Sequence, residues 1–159
     1  MDEKEEKVRA LAKELLTNTM AAFLATVDEK GVPWIRAVEN LRNPKVFPHE
    51  SKTISEFDKD EFSFYTTTNT SSDKMKHIKN NSTIALYFSM PEQYKGIMFQ
   101  GKVRIITDLN FKKKMWQDNW KQYYPKGYTD PDLTILCLKP SFMKGWYKGH
   151  HILSLSDKK

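Results

Sequence analysis

Residues 95–106, with the sequence KGIMFQGKVRII, carry the clearest structural pattern of the chain. Small or apolar residues alternate there with longer, mostly polar side chains, so that Ile97 is predicted to point inward and Met98 outward. Such alternation is typical of an antiparallel strand with one face on the core and the other toward solvent. Residues 82–90, STIALYFSM, alternate in the same way. The two runs predict strands of one antiparallel sheet.

Further upstream, residues 21–27 (AAFLATV) and 32–41 (VPWIRAVENL) flank the short polar loop 28–31, whose glycine can adopt a positive φ. This arrangement predicts a β-hairpin. In the N-terminal segment 1–18, apolar residues recur at helical spacing, which predicts a helix from about residue 3 to residue 16.

Residues 42–59 are polar and contain two prolines, which predicts a long loop. Loops of this length are uncommon in compact domains, so the segment is either a lid or partner contact or a tolerated surface insertion. Residues 61–68 predict the next strand, and residues 68–81 predict a turn that continues into a short helix. Ser71 or Ser72 is its expected N-cap, because a hydroxyl can accept a bond from a first-turn N–H group.

A helix is predicted from Asp108 to about Trp120, with large apolar side chains on one side. We expect this stripe to pack in the core or in a dimer interface rather than to bind a ligand. Residues 129–140 predict a turn and a buried strand, and residues 141–155 predict a last pair of short strands. The order of elements predicts a mainly β fold with flanking helices in one domain. Its strands would form a small closed antiparallel barrel, because closure removes exposed sheet edges.

The composition excludes several classes of protein. A single cysteine among 159 residues excludes a disulfide framework and any zinc site that needs two thiolates, and no metal site is predicted. No apolar run approaches the roughly 20 residues that span a bilayer. The charged start MDEKEEKVR precedes no apolar stretch, so we expect a cytoplasmic protein with no membrane partner. Glycine-rich phosphate loops of the dinucleotide or P-loop type are missing from the sequence.

The formal net charge of +6 is unevenly distributed. Residues 1–73 carry −4, whereas residues 74–159 carry +10. An anionic partner such as nucleic acid or a phosphorylated small molecule would account for this, as would a solvated lysine-rich face. The longest contiguous lysine run, residues 112–114, is too short to be a nucleic-acid tract by itself, and we do not expect nucleic acid as the main partner.

Four segments and Trp146 occur in a distinctive order. The segments are AAFLATVDEKGVPWIRAV (21–38), FYTTTNTSSDKMKHIKNN (64–81), GIMFQGKVRII (96–106) and LTILCLKP (133–140). In this order they resemble the flavin-binding split-barrel superfamily of pyridoxamine 5'-phosphate oxidase, and its general stress protein branch in particular. The resemblance implies a six-stranded Greek-key split barrel. It also implies a homodimer that holds one flavin mononucleotide (FMN) at each side of the subunit interface.

The resemblance further implies a phosphate-binding group. Arg36, on the second strand of the hairpin, and Lys74, at the start of the short helix, match the family's cationic positions. A phosphate ester needs cations and directed donors, which an arginine and a helix N-terminus supply. Tyr65, Thr66 and Ser72 match the hydroxyl-rich surroundings of that phosphate. Either cation alone would be interpreted as a surface residue, but their joint occurrence in the family's order favours a cofactor site.

By the same resemblance, Ala37, Val38 and Glu39 would offer backbone groups to the isoalloxazine ring. Trp146 matches a late aromatic residue that closes the cofactor site near the interface. Considered without the resemblance, this tryptophan is about equally well interpreted as a half-buried core residue.

Three departures separate the chain from the oxidases proper. Asp73 stands at the position of a second phosphate-binding arginine, and Leu41 replaces a lysine that reaches the ring. The last arginine is Arg104, so a carboxy-terminal Arg-x-His element that grips the vitamin's phosphate is incomplete. We therefore do not expect efficient oxidation of pyridoxamine phosphate.

The sequence thus predicts an FMN-dependent oxidoreductase that acts on a small, unidentified substrate. We assign no catalytic residue, because the flavin carries the hydride chemistry and the protein supplies position and electrostatics. Two alternatives stay open. One is a non-enzymatic basic module that binds single-stranded nucleic acid; the other is the same barrel holding haem or a deazaflavin. Cys137, in an apolar strand, is expected to be a buried structural thiol.

Overall fold

A computed structural model describes the backbone and side chains of residues 2–148 and the backbone of residues 151–156. The α-helices are α1 (Glu3–Asn18), α2 (Pro48–Phe57), α3 (Asp73–Asn80) and α4 (Leu109–Met115). The strands are β1 (Ala21–Val27), β2 (Pro33–Glu39), β3 (Phe64–Asn69), β4 (Thr83–Met90), β5 (Lys95–Ile106), β6 (Leu133–Leu138), β7 (Phe142–Tyr147) and β8 (His151–Ser156). A short 3-10 helix, Asp118–Gln122, follows α4.

The strands pair antiparallel in the order β2-β1-β4-β5-β6-β3. The two end strands of this order, β2 and β3, approach each other. Just after β2, the Leu41 N–H donates to the carbonyl of Tyr65 in β3 at 3.2 Å. The sheet therefore closes on itself as a split barrel, and the predicted mainly β, antiparallel barrel is confirmed. In the connection between β1 and β2, Gly31 has a φ of 79°, as the predicted hairpin requires.

The predicted six strands of the barrel are present. Six strands form the path above, and β7 and β8 extend the sheet from β5. The strand β5 is long enough to take two partners on one edge, pairing with β7 over residues 95–100 and with β6 from Val103 onward. The change of partner falls at Gly101, where an added Cβ would lie 3.0 Å from Leu138 and from the Lys139 carbonyl. Close packing of the end of β6 and the residues that follow it at this point accounts for the glycine.

The helix α1 has the predicted apolar stripe. The side chain of Asp2 caps it by accepting a bond from the Glu5 N–H at 2.8 Å. Its buried residues are Val8, Leu11, Ala12, Leu15 and Leu16. They join the apolar residues of β1, β4 and β5 in the core of the barrel. No helix of the described residues is long and apolar enough to cross a membrane.

The prediction of a loop throughout 42–59 was wrong, since α2 occupies most of its second half. Pro48 begins this helix, where its missing N–H costs least. Ile54 is completely buried in a second core cluster between α2, α4 and the outer side of β3 and β6. The His49 Nε2 donates to the Lys114 carbonyl at 2.6 Å and so ties the start of α2 to α4.

The aromatic stripe packs in the same second cluster, as predicted, although Trp120 also lines the cavity described below. Phe111, Met115 and Trp120 are buried there, although α4 ends at Met115 and Trp120 belongs to the 3-10 helix that follows. Cys137 is buried, as predicted. The packing of α2 and α4 matters for function, because it brings the first turn of α2 and the 3-10 helix to one side of β2.

Candidate functional site

A cavity of about 640 Å³ opens beside β2. Its walls are β2 itself, the end of β3, the start of α3, the first turn of α2 and the 3-10 helix Asp118–Gln122. Such a volume is within the range of roughly 300–1,000 Å³ that is usual for small-molecule sites. Arg36, Ala37, Val38, Glu39 and Lys74 all line it. The structure therefore brings five of the nine predicted site residues together around one space.

Arg36 and Lys74 form what we call the cationic end of the cavity. The Arg36 Nη1 donates to the Thr26 hydroxyl at 2.7 Å, and the Lys74 Nζ donates to the Thr68 hydroxyl at 2.8 Å. Burial lowers the pKa of both groups, and the charge of Arg36 lowers the pKa of Lys74 further. Two cations are thus held close together by neutral partners, an arrangement that an anionic ligand would stabilise.

Asp73 does not neutralise this end. Its side chain is 63% exposed and accepts a bond from the Lys76 Nζ at 3.2 Å. Its charge still acts on the two cations, since it raises the pKa of both Arg36 and Lys74 against the effect of burial. The carboxylate therefore lies beside the cationic end without lining the cavity.

The first turn of α3 carries Lys74 and so lies at the same end. Ser72 is the N-cap, as predicted, but its side chain makes no capping hydrogen bond. The Ser72 hydroxyl instead lies 3.4 Å from the Thr68 hydroxyl, which accepts from Lys74. First-turn N–H groups that no side chain caps, together with the positive end of the helix dipole, are suited to an anion such as a phosphate.

A second layer of contacts holds Arg36 in place. The Thr26 hydroxyl that accepts from Arg36 is buried and also lies 2.9 Å from the His77 Nδ1. The His77 ring packs edge-on against Trp34 at 5.2 Å, and the Trp34 Nε1 donates to the Asp28 carboxylate at 3.0 Å. Sequence reasoning did not identify Thr26 or His77, since their contact joins β1 to α3 across 51 residues.

The other end of the cavity, which we call the acidic end, holds Glu39 and Glu50. Burial and the charge of Glu50 raise the pKa of Glu39. Tyr124 lines this end as well, and burial together with Asp132 raises its pKa to about 12, so the phenol stays protonated. Sequence reasoning did not identify Glu50 or Tyr124, because neither belongs to a recognisable motif.

Tyr65 and Thr66 lie outside the lining of this cavity, contrary to expectation. Tyr65 is completely buried against Phe111, and its hydroxyl donates to the Asp58 carboxylate at 2.8 Å. Thr66 is buried within β3. Both faces of this strand are largely covered, and the residues that line the cavity instead are half-buried Thr67 and buried Thr68, near its end.

Trp146 also lies outside this cavity. It is half-buried on β7, on the outer face of the sheet, and packs edge-on against the Tyr87 ring at 5.8 Å. Within one subunit it therefore does not close the site beside Arg36.

The fold and the cavity define a split-barrel protein with a site suited to an anionic small molecule. Comparison with known families makes the assignment specific: the model of the pyridoxamine 5'-phosphate oxidase family matches residues 8–147. The chain belongs to this family.

Individual relatives agree with this assignment. A pyridoxine/pyridoxamine 5'-phosphate oxidase of Vibrio parahaemolyticus is 38% identical over 126 residues, which are 79% of this chain and 48% of that protein. The chain thus spans about half the length of this relative. The crystal structure of a Clostridium acetobutylicum protein related to general stress protein 26 of Bacillus subtilis has a TM-score of 0.71 at 25% identity, covering 99% of this chain and 97% of the other.

A third similar structure is that of a pyridoxamine 5'-phosphate oxidase-related, FMN-binding protein of Nostoc punctiforme. Its TM-score is 0.64 at 13% identity, with 100% of this chain and 98% of the other covered. At this identity the likeness concerns the fold alone.

Proposed function

We propose that the protein is a flavoprotein that holds FMN in the cavity beside β2 and acts as an oxidoreductase on a small molecule. The observation that carries the proposal is that Arg36 and Lys74, the latter in the first turn of α3, line one cavity. Cations of this kind fit the phosphate of FMN, which carries close to two negative charges.

The residues of the cavity have distinct roles in this proposal. Arg36, Lys74 and the hydroxyl of Thr68 would bind the phosphate, while the backbone of residues 37–39 would border the isoalloxazine ring. Bound FMN would supply hydride or electron transfer, and the protein would position it and exclude water. No side chain is assigned to acid-base or nucleophilic chemistry.

The outer face of the sheet supports assembly into a homodimer. Phe23 and Ile35 lie on this face at 43% and 71% exposure, next to the half-buried rings of Tyr87 and Trp146. Apolar residues grouped on one exposed face are typical of an interaction surface. In a dimer formed through this face, Trp146 would be available to the partner's flavin, which agrees with its predicted place near the interface.

We infer that pyridoxamine phosphate is not the substrate. Leu41 stands where the oxidases proper have a ring-contacting lysine, and its side chain is completely buried in the second core cluster. An apolar side chain that is buried in this cluster neither carries a charge nor reaches the flavin ring. The substrate must therefore be recognised by other side chains of the cavity.

An absorbance spectrum of the purified protein tests the proposal. Protein that is colourless would be incubated with FMN, haem or a deazaflavin in separate samples and then freed of unbound ligand. We expect retention of about one FMN per subunit, and reduction of the bound flavin by a nicotinamide cofactor would be examined next. Preferential retention of haem or a deazaflavin, or salt-sensitive binding of a single-stranded oligonucleotide without any chromophore, would contradict the proposal.

A substitution on the outer face tests the dimer. Ile35→Glu places a charge within the apolar face and is expected to convert the dimer to a monomer in gel filtration. Val32→Glu is a matched control, because Val32 is exposed in the hairpin turn outside the strand. Equal elution of both variants with the unsubstituted protein would exclude this face as the interface.

A further inference from the structure

Arg36 is anchored through one nitrogen of its guanidinium group. Its Nη1 donates to the Thr26 hydroxyl at 2.7 Å, to the Trp34 carbonyl at 3.1 Å and to the Leu24 carbonyl at 3.3 Å. The hydrogen bonds that it makes to residues described by the structure all use this nitrogen. The anchored nitrogen therefore sets the direction of the remaining donors, and a guanidinium group binds a phosphate best when that direction is fixed in advance.

The hydroxyl of Thr26 makes the shortest of these contacts and also has a proton of its own to donate. Because a guanidinium group can only donate, the Thr26 oxygen accepts from Arg36. Thr26 is 1% exposed, so bulk water does not take its proton. Among the described residues, the other polar side-chain atom within hydrogen-bond distance of this hydroxyl is the His77 Nδ1, at 2.9 Å. The Thr26 hydroxyl therefore donates to His77.

This direction of donation defines the tautomer of His77. A ring nitrogen that accepts a hydrogen bond carries no hydrogen, so the neutral ring has its hydrogen on Nε2. With the hydrogen on Nδ1, the Thr26 oxygen would face two donors, and its own buried proton would lose its acceptor. The His77 ring is thus the acceptor that orients the Thr26 hydroxyl toward Arg36.

The ring of His77 is itself held from the hairpin. Trp34, the direct cross-strand partner of Thr26, packs edge-on against it at 5.2 Å between centroids. The Trp34 Nε1 donates to one oxygen of Asp28 at 3.0 Å, and the other oxygen accepts from backbone N–H groups of the hairpin turn. His77 does not line the cavity beside β2. It can therefore act on a ligand there through Thr26 and not by contact.

We propose that His77 is a positioning residue for phosphate binding. As the Nε2–H tautomer it holds the Thr26 hydroxyl, and through that hydroxyl it holds the guanidinium group of Arg36 in the orientation that receives the phosphate of FMN. The inference rests on the proposed function for the identity of the ligand. The hydrogen-bond network of His77, Thr26 and Arg36 consists of protein groups alone, so it can be tested separately.

Nitrogen-15 NMR of the protein as purified tests the network. The chain has four histidines, so the ring signals of His77 can be assigned by their absence from the spectrum of His77→Leu. At about pH 8, where a histidine ring is ordinarily neutral, we expect the chemical shifts of the Nε2–H tautomer. Shifts of the Nδ1–H tautomer, or averaged shifts of two exchanging tautomers, would overturn the proposal.

Riboflavin, which is FMN without its phosphate, separates a positioning role from general damage to the site. Fluorescence titration would give the dissociation constants of both flavins. In His77→Leu, which removes the acceptor, FMN should bind about five- to tenfold more weakly, while riboflavin should change by less than about twofold. Equal weakening of both flavins would indicate a merely structural role and would overturn the proposal, as would unchanged binding of FMN.

Two carboxamide variants provide a matched pair. The side-chain oxygen of asparagine lies near the place of the histidine Nδ1, whereas the longer glutamine extends toward that of Nε2. His77→Asn should therefore restore the affinity for FMN to within about threefold of the unsubstituted protein, and His77→Gln should resemble His77→Leu. Restoration by glutamine alone would place the essential contact at Nε2 and would overturn the proposal.

A double variant tests whether His77 acts through Thr26. His77→Leu combined with Thr26→Val should weaken FMN binding no more than the larger of the two single effects, because both changes interrupt the same network. Additive losses would show that His77 acts by another route, which contradicts the proposal.

The unsubstituted protein separates this inference from the proposed function. FMN binding that does not depend on His77 refutes the positioning role alone. A protein that retains no FMN refutes the flavoprotein proposal, and the positioning role is then measured by calorimetric titration with inorganic phosphate. Weaker phosphate binding in His77→Leu than in the unsubstituted protein would support it, and equal binding would overturn it.

Discussion

The two ends of the cavity beside β2 differ in how their charged groups are held. At the cationic end, Arg36 and Lys74 each donate to a threonine hydroxyl, and Thr26 is itself fixed by its contact with His77. At the acidic end, Glu39 and Glu50 line the same space, and the charge of Glu50 raises the pKa of Glu39. The first end is organised in advance, whereas the second is electrostatically incomplete.

This difference indicates which ligand is resident and which is transient. A cofactor that stays bound is served by rigid, pre-oriented groups, because little conformational entropy is lost when it binds. A substrate that binds and leaves can instead be bound by a charged group that gains a partner of opposite charge only in the complex. We therefore expect substitutions at the cationic end to affect cofactor retention, and those at the acidic end to affect the choice of substrate.

The largest effect is expected from removing both cations. Arg36→Ala combined with Lys74→Ala should raise the dissociation constant of FMN at least 100-fold, because hydrogen bonds to charged groups contribute about 1.5–3 kcal/mol each. Fluorescence titration of FMN would measure it. Lys76→Ala combined with Lys79→Ala changes the net charge equally, at two positions of α3 that do not line the cavity, and should have less than a threefold effect. Similar losses in both double variants would mean that general charge, and not the cationic end, attracts the flavin.

A smaller effect is expected when Arg36 loses its support. Thr26→Val keeps the shape of the side chain but removes the hydroxyl that contacts both Arg36 and His77. FMN should bind five- to tenfold more weakly, and the free energy of unfolding should fall by about 1–2 kcal/mol. Titration of FMN and urea denaturation would measure the two quantities. Thr83→Val, at an exposed position of β4, is the control; unchanged FMN binding in Thr26→Val would show that Arg36 needs no such support.

The pH dependence of FMN binding should depend on Lys74. Since burial and Arg36 lower the pKa of Lys74, its ammonium loses a proton at a lower pH than an ordinary lysine with a pKa of 10.5. Affinity for FMN should therefore decline as pH rises from 7 to 9.5. The Lys74→Arg variant keeps its charge over this range, so its affinity for FMN should vary by less than about twofold. Parallel profiles for the two proteins would indicate that Lys74 does not contact the phosphate.

The cationic end could be predicted from the sequence because its residues belong to segments with strong local signals. Arg36 lies on a hairpin with alternating apolar residues, and Lys74 lies in a serine-rich turn before a short helix. The order of these segments brought the two cations together, and the structure places them on one cavity. Their role in binding FMN stays a prediction.

The acidic end could not be predicted, because its burial depends on packing between distant parts of the chain. Ile54 is the main apolar residue of α2 that could indicate an amphipathic helix, and two prolines nearby favour a loop. Only the packing of α2 on α4 turns Glu50 into a buried residue. Tyr65 was misplaced for a related reason: β3 is covered on both faces, so its sequence does not show which hydroxyl groups stay accessible.

The smallest effect concerns the repulsion between the two carboxylates. Partial desolvation beside the cavity and the charge of Glu50 raise the pKa of Glu39 above its ordinary value of 4.5, so ionised Glu39 destabilises the folded state. This cost is present above the raised pKa and disappears as pH falls below 4.5, where the folded and unfolded states are both protonated. Glu39→Gln should therefore be more stable than the unsubstituted protein at pH 7, by roughly 0.5 kcal/mol or less because Glu39 is exposed to solvent. Urea denaturation at several pH values should show the gap closing toward pH 4.5. A gap of the opposite sign at pH 7 would mean that a cation of the protein already neutralises the acidic end, which would remove its contrast with the cationic end.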